Sequence, residues 1–335
     1  MSIFALGWLT LLPGCYLGHV AAGQIRLLRA STPIPRVLGD PATTADERER
    51  LTLVLEARDH AQRLGLSVGE QYTSYAPWPG DRLITAVVAA QPGTLEASGF
   101  WFPLIGSVPY KGYFTLAAAD AEATRLRGRG LDVCLSAVPA YSTLGWMADP
   151  VTGPLLRAHR TDLVATVIHE LVHATMYVAG DADFNEGLAS FIGEEGALTF
   201  FAARDGPESP SALEARKRIA DERSVTAAVR TLRDQVAALY AAEPAGPARD
   251  ALRSSLEEAA RARVAALALS TIDTTALAAR LRTNDACLAL EGTYTQDLPR
   301  YEAALERFGG DVRALVAAAR LAARASDPRA ALLGP

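Results

Sequence analysis

The chain has 335 residues, half of them hydrophobic, and a formal net charge of −5, enough for one large core or two modest ones. Lys111 and Lys217 are its only lysines and its arginines are interspersed with acids. No basic stripe that could neutralise phosphates results, so nucleic acid is not an expected partner.

Ile3 to Leu12 is an apolar run followed by Pro13-Gly14-Cys15, which resembles a bacterial lipoprotein signal cleaved before a lipid-bearing cysteine. Apolar character continues through Tyr16 to Gly23, so the second reading is an uncleaved membrane anchor of about 20 residues. Both readings tie residues 1–23 to a membrane and put the body of the chain in the periplasm or outside the cell, at the bacterial envelope. Cys134 and Cys287 either pair in such an oxidising compartment or remain buried thiols.

Gln24 to Leu38 is punctuated by proline and reads as a connector, and Thr44 to Leu64 has the apolar spacing of an amphipathic helix. The period then changes. Leu83 to Ala90 and Leu131 to Val138 are short β-branched runs bounded by Pro or Gly, as strands are. Between them lie an aromatic strand-and-turn stretch, Trp101 to Phe114, and a helix over Leu116 to Arg129. These segments predict a mixed sheet with helices. A helix then opens at Thr161 or Asp162 and stops at Gly180, its apolar residues Leu163, Val164, Val167, Ile168, Leu171, Val172 and Met176 wrapping most of its circumference. The next helix runs from near Asp183 towards Ala203, and Gly/Pro-rich breaks divide the remainder into helices over Ser211 to Ala242 and Ala248 to Leu281. The expected ending is a helical bundle with a frayed tail from Ser326 to Pro335.

His169-Glu170-Leu171-Val172-His173 is the segment richest in chemistry. Residues four apart on an α-helix differ by about 40° around the axis and one turn along it, so both imidazoles can reach one ion. Glu170 is then placed to take a proton from a water on that ion, the working arrangement of a zinc hydrolase. A catalytic zinc needs a third protein ligand. Glu186, thirteen residues beyond His173 and across a turn at Gly180-Asp181-Ala182, is the candidate.

Asn185-Glu186-Gly187-Leu188-Ala189-Ser190-Phe191 resembles the segment that carries the third zinc ligand in alanyl-aminopeptidase-type gluzincins. A bacterial family of predicted aminopeptidases is similar over about the first two thirds of the chain, through Leu12 to Cys15, Val108 to Phe114, Val138 to Trp146, and the two metal segments. The resemblance implies a lipid-anchored zinc peptidase. The expected fold is thus α+β: a zincin-like metallopeptidase domain over 24–204 with a mixed sheet and an active-site helix, followed by an α-helical bundle over 205–325 packed on it.

The expected chemistry is peptide-bond hydrolysis with one zinc ion on His169, His173 and Glu186 and with Glu170 as the general base. Tyr141, in the turn after a strand, is the leading donor to the tetrahedral intermediate, and Tyr110, Tyr113 and Tyr294 compete for that role. Asn185 and Ser190 are candidates to hold the imidazoles, with helix capping the other use open to Asn185. An aminopeptidase needs a carboxylate for the substrate's α-ammonium, a role for which Glu194 and Glu195 could be recruited although solvent exposure is the first reading of both, whereas an endopeptidase needs an open edge strand, for which Leu83 to Ala90 is the candidate. The third reading is a membrane-anchored binding protein that keeps the zinc site without turnover.

Overall fold

The computed structural model describes residues 12–102, 106–140, 143, 147–295 and 297–334. Helix α1 (Leu12–Ala30) leads through the two-residue strand β1 (Thr32–Pro33) into α2 (Ile34–Gly39) and α3 (Ala45–Arg63). Gln24 to Leu38 is therefore no open connector: α1 runs on to Ala30 because Leu27 is buried and gives the helix a face to pack. Thr44 starts α3 through a reciprocal capping box with Glu47.

Strands β2 (Ser74–Ala76), β3 (Ile84–Ala90), β4 (Phe100–Phe102), β5 (Gly106–Val108) and β6 (Tyr110–Tyr113) precede α4 (Leu116–Arg127) and β7 (Asp132–Val138). The main sheet has the order β6-β3-β7 and is antiparallel throughout. The one parallel pairing among the described residues joins β2 to β8 (Val151–Thr152) in a small second sheet with β1. Strand β3 occupies the centre of its sheet with all seven residues buried, so Leu83 to Ala90 offers no open edge to a peptide.

After α5 (Gly153–Leu156) come α6 (Arg160–Thr175) and α7 (Ala182–Asp205), the most closely associated pair of elements among the described residues. Leu163, Val164, Val167, Ile168, Leu171 and Val172 of α6 are fully buried or nearly so. The helix stops at Thr175 rather than Gly180, because Met176 turns extended and Asn185 hydrogen-bonds both N–H and C=O of Val178. Asn185 thus holds the α6–α7 turn and not an imidazole.

The remaining helices are α8 (Pro210–Ala242), α9 (Pro247–Ala265), α10 (Thr274–Arg280), α11 (Asp285–Thr295), α12 (Leu298–Arg307), α13 (Val312–Ala322) and α14 (Pro328–Leu333). Ala248 to Leu281 is divided because Asp221 binds the backbone and hydroxyls of Ser270 and Thr271, fixing a loop where a continuous helix was expected. The expected frayed tail is also ordered: Leu332 and Leu333 are buried, and Arg329 pairs with Asp181 and Asp297. One apolar cluster joins Ile34 and Leu51 to Leu171, Phe191, Tyr301 and Leu333, so residues on both sides of position 204 share a core. Among the described residues no helix is long and apolar enough to cross a membrane. Residues 1–11 lie outside the described ones, and Cys15 falls within α1.

Candidate metal centre

Helix α6 supplies two imidazoles and α7 a carboxylate to one point. His169 Nε2 and His173 Nε2 are 3.1 Å apart, and Glu186 Oε2 lies 3.4 Å from the first and 3.5 Å from the second. Close helix contact makes this possible: Gly193 packs on Ala165 and His169, and Gly187 lies under Tyr301. Asp181 caps α7 by accepting the N–H of Phe184, which leaves Glu186 free of the capping role that its spacing from Asp183 would also have allowed.

This triangle fits a tetrahedral cation. Bonds of about 2.0–2.1 Å at tetrahedral angles subtend ligand separations of about 3.3 Å, close to the three separations found. The donor set of two imidazole nitrogens and one carboxylate oxygen suits zinc. Other groups turn the ligands inward: Ser190 Oγ lies 3.4 Å from His169 Nδ1, and Tyr110 donates its hydroxyl to Glu186 Oε1 at 3.3 Å. Burial works against the Glu186 charge, but His173 and His169 hold its carboxyl well below the usual range. Burial also lowers His173, and Glu186 more than reverses that.

The centre lines a cavity of ≈ 830 Å³ with walls from α1, β6, β7, α6, α7, α8 and α11. Glu170 faces into it, and its charge bears on Tyr110, Tyr294 and His173. Tyr110 and Tyr294 stand beside Glu186, the first raised above ordinary phenols by that charge and burial, the second by burial and that charge. Both therefore stay protonated donors. Tyr141 lies outside the described residues. Tyr113 is packed instead against Tyr16 and His19. Tyr177, absent from the sequence expectations, also lines the cavity, and Met176-Tyr177 just after α6 was the available signal.

Glu194 lines the cavity, but Arg223 binds both it and Glu195 at 2.7 Å. Neither acid is a solvated surface carboxylate or an unpaired ammonium acceptor, the two readings that the sequence left open. At the edge of the main sheet, α1 is seated on β6: Tyr16 donates its hydroxyl to the Gly112 carbonyl at 3.4 Å, and His19 Nε2 accepts the Phe114 N–H at 3.0 Å. On the other side, Arg282 and Asn284 donate to the Leu135 and Val133 carbonyls of β7. Cys134 and Cys287 form a disulfide that fastens α11, with Tyr294, to β7.

A family model described as a putative aminopeptidase matches residues 15–333. The chain belongs to this family. The match runs from α1 to the last helix, so every wall of the cavity lies within the aminopeptidase family region. No curated protein and no solved structure matches the chain.

Proposed function

We propose that the chain is a zinc-dependent peptidase, built on a zincin-like arrangement of α6 and α7, that removes residues from the free N-terminus of peptides. The observation that carries this reading is the triangle of His169, His173 and Glu186 on the wall of a cavity large enough for a short peptide. The family description supports the same activity. Zinc held there supplies Lewis-acid polarisation of the scissile carbonyl and a water of lowered pKa.

Glu170 takes the proton of the attacking water and returns it to the leaving amine. Tyr294 and Tyr110, kept as neutral hydroxyls, donate to the oxygen on which negative charge develops. Ser190 fixes the ring of His169, and Tyr110 fixes the second oxygen of Glu186.

Exopeptidase action is favoured over endopeptidase action by the coverage of the sheet edge. With α1 side chains on Gly112 and Phe114, an extended chain has no continuous row of β6 groups to pair with. The disulfide supports an oxidising compartment such as the bacterial envelope, and the apolar segment before α1 supports membrane attachment there.

The test is metal content together with turnover. Elemental analysis is expected to find one zinc per chain, and Glu170→Gln to retain it while losing cleavage of unblocked peptides. Protein that holds no divalent cation under any loading condition, or a Glu170→Gln variant with full activity, overturns the reading.

A further inference from the structure

Six carboxylates line the cavity, those of Asp162, Glu170, Glu186, Glu194, Glu222 and Glu291, against the one guanidinium of Arg282. Most are already engaged. Asp162 and Glu222 share Arg218, Glu194 binds Arg223, and Glu186 faces the two imidazoles. Glu291 differs: among the described residues no hydrogen-bond donor or ion-pair partner reaches its carboxylate. Burial raises the carboxyl, opposed only by the charge of Arg282, whose own guanidinium is turned to the Leu135 carbonyl.

Glu291 is half-buried and opens into the cavity, and the described groups around it supply no direct cationic partner, so its carboxylate is placed to take up a cation from a bound molecule. Glu291 lies on the cavity face of α11 with Leu290 and Tyr294. That helix is held at Cys287 by the disulfide and at Asp285 by Gly93, Tyr240 and Arg253, so the carboxylate cannot turn away by moving its backbone. Glu291 stands three residues before Tyr294, about 60° around the helix and about 4.5 Å along it.

We propose that Glu291 is the subsite carboxylate that receives the cationic side chain of a lysine or arginine next to the scissile bond. A substrate's α-ammonium is one carbon from the scissile carbonyl and remains beside the metal ligands, whereas lysine carries its charge on a flexible four-carbon stem that spans the offset between Tyr294 and Glu291. The bound cation supplies the donor that this cavity-facing carboxylate lacks, and the charge-assisted hydrogen bond discriminates against an apolar side chain of equal length. This inference rests on the peptidase reading.

Its test uses the non-turning-over Glu170→Gln protein, zinc-loaded, with calorimetric binding of Lys-Ala-Ala amide, norleucyl-Ala-Ala amide and N-acetyl-Lys-Ala-Ala amide. Lysine is expected to bind at least about tenfold tighter than norleucine, and Glu291→Gln added to Glu170→Gln to bring that ratio near one, with Glu291→Asp restoring part of it. An unchanged ratio in the Glu291→Gln protein, or no lysine preference at all, overturns the proposal. Loss of the preference for free over acetylated peptide, with the lysine-to-norleucine ratio intact, also overturns it and assigns Glu291 to the α-ammonium. Glu291-dependent lysine binding by a wild-type protein that cleaves no peptide keeps the subsite and rejects the peptidase reading alone.

Discussion

Gly193 of α7 lies so near Ala165 of α6 that a Cβ at position 193 would stand 2.7 Å from the Ala165 carbonyl oxygen and 3.2 Å from His169 Cβ. This contact sets the distance between the helix that carries both imidazoles and the helix that carries Glu186. Gly193→Ala must push the helices apart, and overpacking of this kind costs about 1–3 kcal/mol. The expected outcome is a lower melting temperature together with weaker zinc retention, read by thermal denaturation and metal competition. A variant with wild-type zinc affinity would show that helix spacing does not control the centre.

The disulfide joins residues 153 positions apart and fastens α11 to the sheet. Removing a native bridge typically costs about 2–5 kcal/mol. The Cys134→Ala/Cys287→Ala double variant is expected to melt earlier and to exchange amide hydrogens faster over 285–295, the helix that carries Tyr294. Equal exchange there in both proteins would mean that packing alone holds α11.

Tyr110 and Tyr294 share Glu186 as a neighbour but have separable tasks. Tyr110 donates to Glu186 Oε1, so Tyr110→Phe is expected to loosen the metal. Tyr294→Phe is expected to keep the metal and to lose about 10²-fold in kcat with little change in KM, the size of effect seen on losing one oxyanion donor. Reversed effects in metal titration and steady-state kinetics would exchange the two assignments.

Asp149 is buried at 1% exposure, with Thr143 donating to one oxygen and, among the described residues, no hydrogen-bond partner at Oδ1. Burial raises its carboxyl to about 6, above the unfolded value of about 3.9. The folded state therefore binds the proton more tightly than the unfolded state, and stability falls as pH rises from about 4 through 6. The whole effect is at most about 3 kcal/mol. Asp149→Asn is expected to flatten that part of the melting-temperature profile; an unaltered slope would assign it to another group.

Much of the centre was legible because it is local. His169 and His173 share one helix face by spacing alone, and Glu186 follows after a short turn, so periodicity and composition sufficed. The strands at Leu83 to Ala90 and Leu131 to Val138 were visible for the same reason. Their order was not: that β3 is central and β6 is the edge depends on pairings between distant segments, which no local pattern encodes. Nor did sequence reveal that Asn185 serves the turn rather than the imidazoles, since both uses fit an amide at the start of a helix. Glu291 carried a faint signal as a lone acid after the apolar run Ala286 to Leu290, three residues from Tyr294. Ala and Arg richness blurred the C-terminal helix boundaries, and the docking of residues 328–333 rests on ion pairs reaching back to Asp181 and Asp297.

That last contact bears on how the molecule comes into being. Arg329 grips Asp181, the residue that starts the helix bearing Glu186, so a segment made 148 residues later braces it. A ribosome that has already released the histidine segment has not yet supplied this brace. The carboxylate corner of the His169, His173 and Glu186 triangle is thus braced only after residue 329 has emerged.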